Sequence, residues 1–290
     1  MNQISATLAT GDGQDYEVRY NPRIAVPEYA SHFEKWAELS EQARAQMDGY
    51  LDVPYGSTAM EKLDIFRAQG NSRALLMFIH GGYWRALDKS QHTFVALPFV
   101  RAGATVAVVN YALCPAVTVE DIVRQILQAT AWLYRNGANF GAPAGPLYVA
   151  GHSAGGHLTA MMLAAQWPKF AADLPPKVVR AALSISGLFD LAPIVKTASV
   201  NVDVRLDPIT ARRASPALMP PATDAPLTLA VGGKEQAGFH EQHALIKRKW
   251  AKVIAGEVPC PDDNHFSILE RFADPQSQLC KATCRMMGLE

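Results

Sequence analysis

The stretch PLYVAGHSAGGHLTAMML, residues 146–163, constrains the fold more than any other part of the chain. It begins with a short apolar run typical of a buried strand and ends with a run typical of a buried helix. Between them, Gly-His-Ser-Ala-Gly places a polar Ser153 between Gly151 and Gly155. A G-x-S-x-G turn from strand to helix lifts the serine hydroxyl to the amino end of the helix, where free N–H groups favour negative charge. The pattern predicts a nucleophilic serine.

Short apolar runs alternate with helix-like segments along most of the chain. Strands are predicted at residues 62–68, 74–79, 105–109, 147–150, 181–185, 227–231 and 253–258. Helices are predicted at residues 34–47, 119–136, 154–166, 236–250 and 266–272, with a last one from Asp274. Repeated strand–helix alternation predicts a mostly parallel sheet flanked by helices, in one α/β domain covering residues 1–290.

Two segments depart from this alternation. Residues 1–57 precede the predicted sheet and contain one predicted helix, so we interpret them as a helical N-terminal extension. Residues 191–224 are rich in proline and lie between two predicted core strands. In an open α/β sheet such an insertion sits over the carboxyl ends of the strands, where ligands bind. A small lid over the functional site is therefore expected.

The charge balance bounds the possible partners. The 290 residues carry 27 basic and 27 acidic side chains, for a formal net charge of zero. This balance argues against nucleic acid or an anionic membrane as the main partner, since both require a clustered basic surface. No apolar run is long enough to span a bilayer, and the first residues lack a signal-peptide pattern. We expect a cytoplasmic protein that acts on a small molecule. The sequence leaves the oligomeric state open, with a homodimer as one form.

Candidate metal ligands are few. Cys280 and Cys284 lie one helical turn apart, and we interpret them as two thiols on a C-terminal helix. His240 and His243 share a predicted helix, but no carboxylate or further histidine is placed to complete a ligand set with them. No metal and no cofactor are expected.

The segment FIHGGYW, residues 78–84, follows an apolar strand and resembles the HGGG-type loop of esterases. Its glycines allow backbone N–H groups to point at an oxygen that becomes negatively charged during acyl transfer. Gly81 and Gly82 are therefore the candidates for an oxyanion hole, together with the amide of Ala154, which follows the serine.

The aromatic pair after this loop is a candidate for substrate binding. Tyr83 and Trp84 are placed where they would stack on an aryl ring, although Trp84 suits core packing equally well. Phe189 and Phe266 are further candidates whose direction the sequence leaves open.

In chains with this strand–serine–helix turn, the catalytic acid and then the histidine follow the serine in the sequence. Among the eight histidines, only His265 lies in a loop after the last predicted strand. His80 precedes the serine, which favours a role in ordering its loop. His152 and His157 flank the serine in sequence, but they would point along the turn and into the helix. His265 is the predicted general base.

The acid normally follows the penultimate strand, and the loop there, AVGGKEQAGF, offers Glu235. A glutamate orients an imidazole as an aspartate does. Asp190, after the neighbouring strand, remains an alternative. Asp262 and Asp263 lie too close to the histidine in sequence to reach it easily. We favour Glu235.

With HGGYW, GHSAGG, VGGKE and DNHFSI in this order, the chain resembles the kynurenine formamidase (arylformamidase) family of α/β hydrolases. The resemblance covers nearly the full length. It extends to YNPR (Tyr20–Arg23), VPYG (Val53–Gly56), LDIF (Leu63–Phe66), NYALCP (Asn110–Pro115), GLFDLAP (Gly187–Pro193) and SP (Ser215–Pro216).

The resemblance implies an α/β-hydrolase fold and the hydrolysis of an N-formyl group from an arylamine, with N-formyl-L-kynurenine of tryptophan breakdown as the natural substrate. It implies Ser153 as nucleophile and His265 as base, with Gly81, Gly82 and Ala154 lining the oxyanion hole. The chain departs from eukaryotic members of the family at the acid, where they have aspartate.

Two other functions remain open at this stage. The first is a short-chain carboxylesterase acting on small esters, because relatives with these motifs include such enzymes. The second is a binding protein that keeps the hydrolase fold without its chemistry.

Overall fold

An eight-stranded sheet forms the centre of the protein, whose computed structural model describes residues 12–289. The strand order is β1-β2-β4-β3-β5-β6-β7-β8; β1–β2 and β2–β4 pair antiparallel, and the other neighbours pair parallel. The strands are β1 (Gly49–Pro54), β2 (Lys62–Phe66), β3 (Ala74–Ile79), β4 (Ala104–Val109), β5 (Leu147–His152), β6 (Val179–Ile185), β7 (Leu227–Gly232) and β8 (Ile254–Cys260). The predicted α/β class with a mostly parallel sheet is confirmed.

Helices cover both faces of this sheet. They are α1 (Asp12–Tyr20), α2 (Pro22–Ala25), α3 (Tyr29–Arg44), α4 (Leu97–Ala102), α5 (Val119–Asn136), α6 (Ala154–Ala164), α7 (Trp167–Phe170), α8 (Ala192–Val195), α9 (Ala198–Val204), α10 (Pro208–Arg213), α11 (Ala237–Lys249), α12 (Ser267–Ala273) and α13 (Gln278–Met287). Three short 3₁₀ helices cover Lys89–Ala96, Gly137–Phe140 and Pro216–Leu218. None of the helices in the described part of the chain combines the length and the hydropathy that crossing a bilayer requires.

The central strands read as continuous apolar runs because both of their faces are covered. Every residue of β3, β4 and β5 is buried. Side chains alternate between two apolar clusters along β3: Met77 and Ile79 join one cluster, whereas Leu76 and Phe78 join the other. The sheet therefore has one core layer on each face, and its carboxyl edge presents loops that are held from both sides.

The N-terminal extension differs from the prediction, because it is not helical to its end. Gly49–Pro54 forms β1, the edge strand that pairs with β2. Most of β1 is exposed and its register shifts between Tyr50 and Val53, so it lacks the alternation that would reveal a strand in the sequence. Residues 1–11 of the predicted extension lie outside the described residues. The predicted insertion, residues 191–224, contains α8, α9 and α10.

Candidate active site

Ser153 occupies the sharp turn between β5 and α6, with φ 57° and ψ −117°. The turn is possible only because small residues surround it. A Cβ on Gly155 would lie 1.9 Å from the carbonyl oxygen of Ile79, and one on Gly151 would lie 2.2 Å from the carbonyl oxygen of Gly155. The two glycines of the motif thus allow α6 to pass against β3, and the serine hydroxyl emerges at the carboxyl edge of the sheet.

A line of hydrogen bonds joins the predicted serine, histidine and glutamate. His265 Nδ1 donates to Oε2 of Glu235 over 2.6 Å, and His265 Nε2 lies 3.0 Å from Oγ of Ser153. Because Nδ1 carries the proton, Nε2 is free to accept the serine proton. The three side chains come from the loops after β5, β7 and β8, and the residues are 3%, 7% and 4% exposed. The sheet edge therefore assembles three positions that are distant in sequence.

The second carboxylate oxygen of Glu235 is held by two donors. The N–H of Gly232 lies 2.7 Å from Oε1, and the hydroxyl of Ser186 lies 2.5 Å from the same atom. These donors satisfy Oε1 and leave Oε2 to the imidazole. Ser186 follows β6 with a left-handed φ of 51°, and sequence reasoning missed it. The available signal was a polar residue at the end of an apolar strand, directly before a glycine.

The alternative acids lie elsewhere. Asp190 Oδ1 accepts the N–H of Ala192 over 3.0 Å. Asp263 is buried and receives hydrogen bonds from Ser267 and Arg271. Asp262 is exposed. Among the candidate acids of the described chain, only the glutamate after β7 contacts the imidazole.

The predicted oxyanion loop lies directly against the nucleophile. A Cβ on Gly81 would stand 3.0 Å from Cβ of Ser153, and Gly82 adopts φ 103°, a conformation that other residues avoid. No acceptor in the described chain takes the N–H of Gly82 or of Ala154. Ala154 is the first residue of α6, and the positive end of the helix dipole there stabilises a negative charge. The loop and the start of the helix therefore leave backbone donors without acceptors on either side of Ser153.

His80 orders this loop. Its ring is fully buried, Nδ1 donates to the carbonyl oxygen of Gly81 over 2.8 Å, and the ring stacks on Tyr111 with centroids 4.3 Å apart. Burial lowers the pKa of the imidazole. These contacts match the loop-ordering role predicted from its place in the chain.

The aromatic pair splits between the pocket and the core. Tyr83 lines the pocket and donates its hydroxyl to the carbonyl oxygen of Tyr20. The substrate-binding prediction for Trp84 is wrong in this structure, because its side chain is fully buried. Its Nε1–H donates to Nδ1 of His157 over 3.2 Å. Left-handed φ values of 50° and 57° at the two positions turn the second ring inward, toward α6.

Three further histidines have structural partners. His152 Nε2 donates to the carbonyl oxygen of His265 over 2.8 Å, and His157 Nε2 donates to that of Ala214 over 2.7 Å. Burial lowers the pKa of both, to about 4 for His157. His243 pairs with Glu257 across 2.9 Å. The described residues contain no cluster of three metal-ligating side chains.

A pocket opens onto the serine. Its walls combine aromatic and polar residues and come mainly from the N-terminal extension and the loops around the serine. They include Phe33, Trp36, Tyr83, His152, Val200, His265 and Phe266. Phe189, the other aromatic candidate, is buried away from these walls. The aromatic side chains among these residues offer faces on which an aryl ring can pack next to the serine.

This fold and this edge-of-sheet arrangement define the α/β hydrolases, and a sequence model of that fold matches residues 76–240. Two curated relatives are kynurenine formamidases. The one from Danio rerio is 30% identical and covers 93% of each chain, and the one from Salmo salar is 31% identical over 89% of this chain and 88% of its own. The chain belongs to the kynurenine formamidase-like α/β hydrolases and is a hydrolase.

Solved structures agree on the fold. A protein from Silicibacter sp. TM1040 is 34% identical, matches 91% of this chain and 96% of its own, and superposes with a TM-score of 0.81. A hyperthermophilic esterase from Pyrobaculum calidifontis is 16% identical and covers 91% and 92% of the two chains with a TM-score of 0.68. At that identity the second likeness concerns the fold alone.

Proposed function

We propose that the protein removes a small acyl group, formyl above all, from an aryl amide resembling N-formyl-L-kynurenine, through an acyl-enzyme on Ser153. The observation that carries the proposal is the hydrogen-bonded line from Glu235 through His265 to the serine hydroxyl, beside unpaired backbone donors. Names of full-length relatives supply the substrate class: the proteins from Danio rerio and Salmo salar are kynurenine formamidases.

In the first half of the reaction, Oγ of Ser153 bonds to the formyl carbon while its proton passes to Nε2 of His265. The N–H groups that line the oxyanion hole, predicted at Gly81, Gly82 and Ala154, stabilise the carbonyl oxygen as it gains negative charge. One such donor is worth about 2.7–4 kcal/mol in the transition state. The imidazolium, stabilised by Glu235, then gives its proton to the leaving arylamine nitrogen as the C–N bond breaks.

In the second half, water loses a proton to His265 and its oxygen bonds to the formyl carbon of the acyl-enzyme. The ester bond to Ser153 breaks, Oγ recovers its proton, and formate leaves. A formyl group places only a hydrogen beside the attacked carbon, so the aromatic walls of the pocket receive the leaving group. The chemistry needs no group beyond side chains and backbone amides of this chain.

The test compares the wild type with Ser153→Ala on N-formylkynurenine and on p-nitrophenyl acetate. The variant should lose at least about 10³-fold in kcat on both. A fluorophosphonate should label the wild type and leave the variant unlabelled. Full activity of the variant would refute the assignment of Ser153 as the nucleophile.

A second candidate function is short-chain ester hydrolysis, because an acyl-enzyme of this kind forms as readily from an ester. Turnover of p-nitrophenyl esters with none of N-formylkynurenine would favour it over the formamidase. Cytoplasmic location and a homodimer stay predictions from the sequence.

A further inference from the structure

The turn formed by Tyr20–Arg23 is bound to both sides of the catalytic centre. The hydroxyl of Tyr83, in the oxyanion loop, donates to the carbonyl oxygen of Tyr20. Gln236, the residue after the candidate acid, donates from Nε2 to the carbonyl oxygen of Asn21 over 2.7 Å. The turn carries the YNPR motif, and no step of the proposed reaction involves these four residues. These two bonds hold the first half of the turn, and its residues Asn21, Pro22 and Arg23 line the pocket.

Contacts within and next to the turn hold the backbone and the side chain of Arg23. Pro22 opens the short helix α2, and the N–H of Arg23 donates to Oδ1 of Asn21 over 3.1 Å. The guanidinium carbon lies 4.8 Å above the centre of the Tyr29 ring. Asn21 Nδ2 donates in turn to the hydroxyl of Ser199 on α9, over 3.0 Å. The hydrogen bond fixes the backbone of the turn, and the Tyr29 ring supports the guanidinium.

The charges around the pocket have one sign. Arg23 and Arg85 line it, and no carboxylate does. Arg85 donates to Oδ2 of Asp203 over 2.5 Å, so its charge is already compensated. No carboxylate of the described side chains contacts Arg23. Arg23 is an exposed residue at the pocket, and its guanidinium has no protein counter-ion, so its charge is open to an anionic ligand.

We propose that Arg23 binds a carboxylate carried by the leaving-group part of the substrate. The inference rests on the proposed function: because a formyl group is so small, nearly the whole substrate is leaving group and extends from Ser153 along the pocket. A guanidinium presents two parallel N–H donors that match a carboxylate. The protein therefore selects arylformamides that bear an anionic group, and the N-terminal turn supplies this selectivity.

The experiment pairs each substrate with an analogue that lacks only the charge. N-formylkynurenine is compared with its decarboxylated analogue, in which hydrogen replaces the carboxylate, and 3-acetoxybenzoate is compared with phenyl acetate. Three variants are measured: Arg23→Met, Arg23→Lys and Arg85→Met. Arg248→Met, on the exposed side of α11 and outside the pocket, is the matched control.

We expect Arg23→Met to lower kcat/KM for the anionic partner of each pair by about tenfold or more, mainly through KM, and to leave the neutral partner within about threefold. Arg23→Lys should recover part of the loss, and Arg248→Met should match the wild type. High salt should weaken the wild-type preference for the anionic substrate.

Three results would overturn the inference. One is an equal loss on both partners of a pair, which would mean that the arginine only supports the turn. Another is no loss on either partner. The third is that Arg85→Met loses the preference for the anionic substrate over its neutral analogue, whereas Arg23→Met keeps it. Failure of the proposed function is a separate outcome: if the wild type hydrolyses neither formamide, the ester pair still tests Arg23.

Discussion

The hydroxyl of Ser186 lies 2.5 Å from Oε1 of Glu235, at the end of a strand adjacent to the one that carries the glutamate. A glutamate has one more rotatable bond than an aspartate, so its carboxylate must be held to face the imidazole. Ser186 and the N–H of Gly232 hold it through one oxygen. We regard Ser186 as a positioning residue, because it acts on the reacting atoms only through the glutamate and His265.

Removing the hydroxyl of Ser186 should lower kcat and leave KM nearly unchanged. Ser186→Ala and Ser186→Gly both delete one charge-assisted hydrogen bond, so each should lower kcat by about tenfold or more. The φ of 51° strains alanine and suits glycine, so Ser186→Gly should unfold at a higher temperature than Ser186→Ala. Steady-state kinetics and thermal unfolding of the pair measure this. Equal kcat in wild type and variants would mean that Gly232 alone holds the carboxylate.

The acid can be assigned by a matched pair of amide substitutions. Glu235→Gln keeps the shape but removes the charge that stabilises the imidazolium of His265, and we expect a loss of roughly 10⁴-fold in kcat. Asp190→Asn should stay within about threefold of wild type, because Asp190 Oδ1 accepts only the N–H of Ala192. The comparison is made on one substrate at one pH. The reverse ranking would return the role to Asp190.

Trp84 should affect stability and not substrate binding. Trp84→Phe keeps most of the buried ring but removes the donor to Nδ1 of His157, leaving a buried acceptor unpaired. We expect the free energy of unfolding to fall by about 1–3 kcal/mol and KM to stay unchanged. Urea unfolding and steady-state kinetics provide the two readouts. A raised KM with unaltered stability would restore the stacking role that the sequence suggested.

Two glycine-to-alanine substitutions separate close packing from a general effect of losing glycine. In Gly155→Ala the new Cβ would stand 1.9 Å from the carbonyl oxygen of Ile79, whereas in Gly256→Ala it would meet nothing within 4 Å. We expect the first to lower the free energy of unfolding by roughly 3 kcal/mol and to abolish activity. The second should change stability by less than about 0.5 kcal/mol. Similar unfolding curves for the two variants would contradict this.

Burial of His157 makes stability depend on pH. Burial lowers its pKa from an ordinary 6.5 to about 4, so between these values the unfolded chain binds a proton that the folded protein excludes. The free energy of unfolding that the protein gains by burying a neutral His157 is complete above pH 6.5, and it is lost as the pH falls toward 4. In this window it contributes a slope of about 1.4 kcal/mol per pH unit. His157→Gln, measured by urea unfolding between pH 7 and 4.5, should show a shallower slope than wild type. Parallel slopes would argue against a neutral buried imidazole.

The parts of the molecule predicted from sequence are those encoded locally. β5 and α6 were predictable because an apolar run, a glycine-flanked serine and a second apolar run are contiguous in the chain. His265 was predictable because only one histidine follows the last strand. Such features need no knowledge of which strands are neighbours.

The parts that were missed depend on tertiary contacts. The contact between Ser186 and Glu235 exists because β6 and β7 are adjacent in the sheet, which no short window of sequence expresses. The exposed strand β1 has no apolar pattern. The direction of Trp84 follows from two left-handed φ values in a loop. Each of these features is set by the folded structure and leaves no local pattern in the sequence.

The contact of Gly155 with the backbone of Ile79 has a consequence for how this enzyme can be altered. At Gly81 and Gly155 the nucleophile, the oxyanion loop and the strand beneath them are packed without spare volume, so a larger side chain there would displace the reacting groups. The turn around Asn21 meets these elements through hydrogen bonds from Tyr83 and Gln236 and through the buried ring of Tyr20, which packs near Phe239. New substrate preferences are therefore best sought first at Arg23, whose side chain is exposed at the pocket and lies outside this close packing.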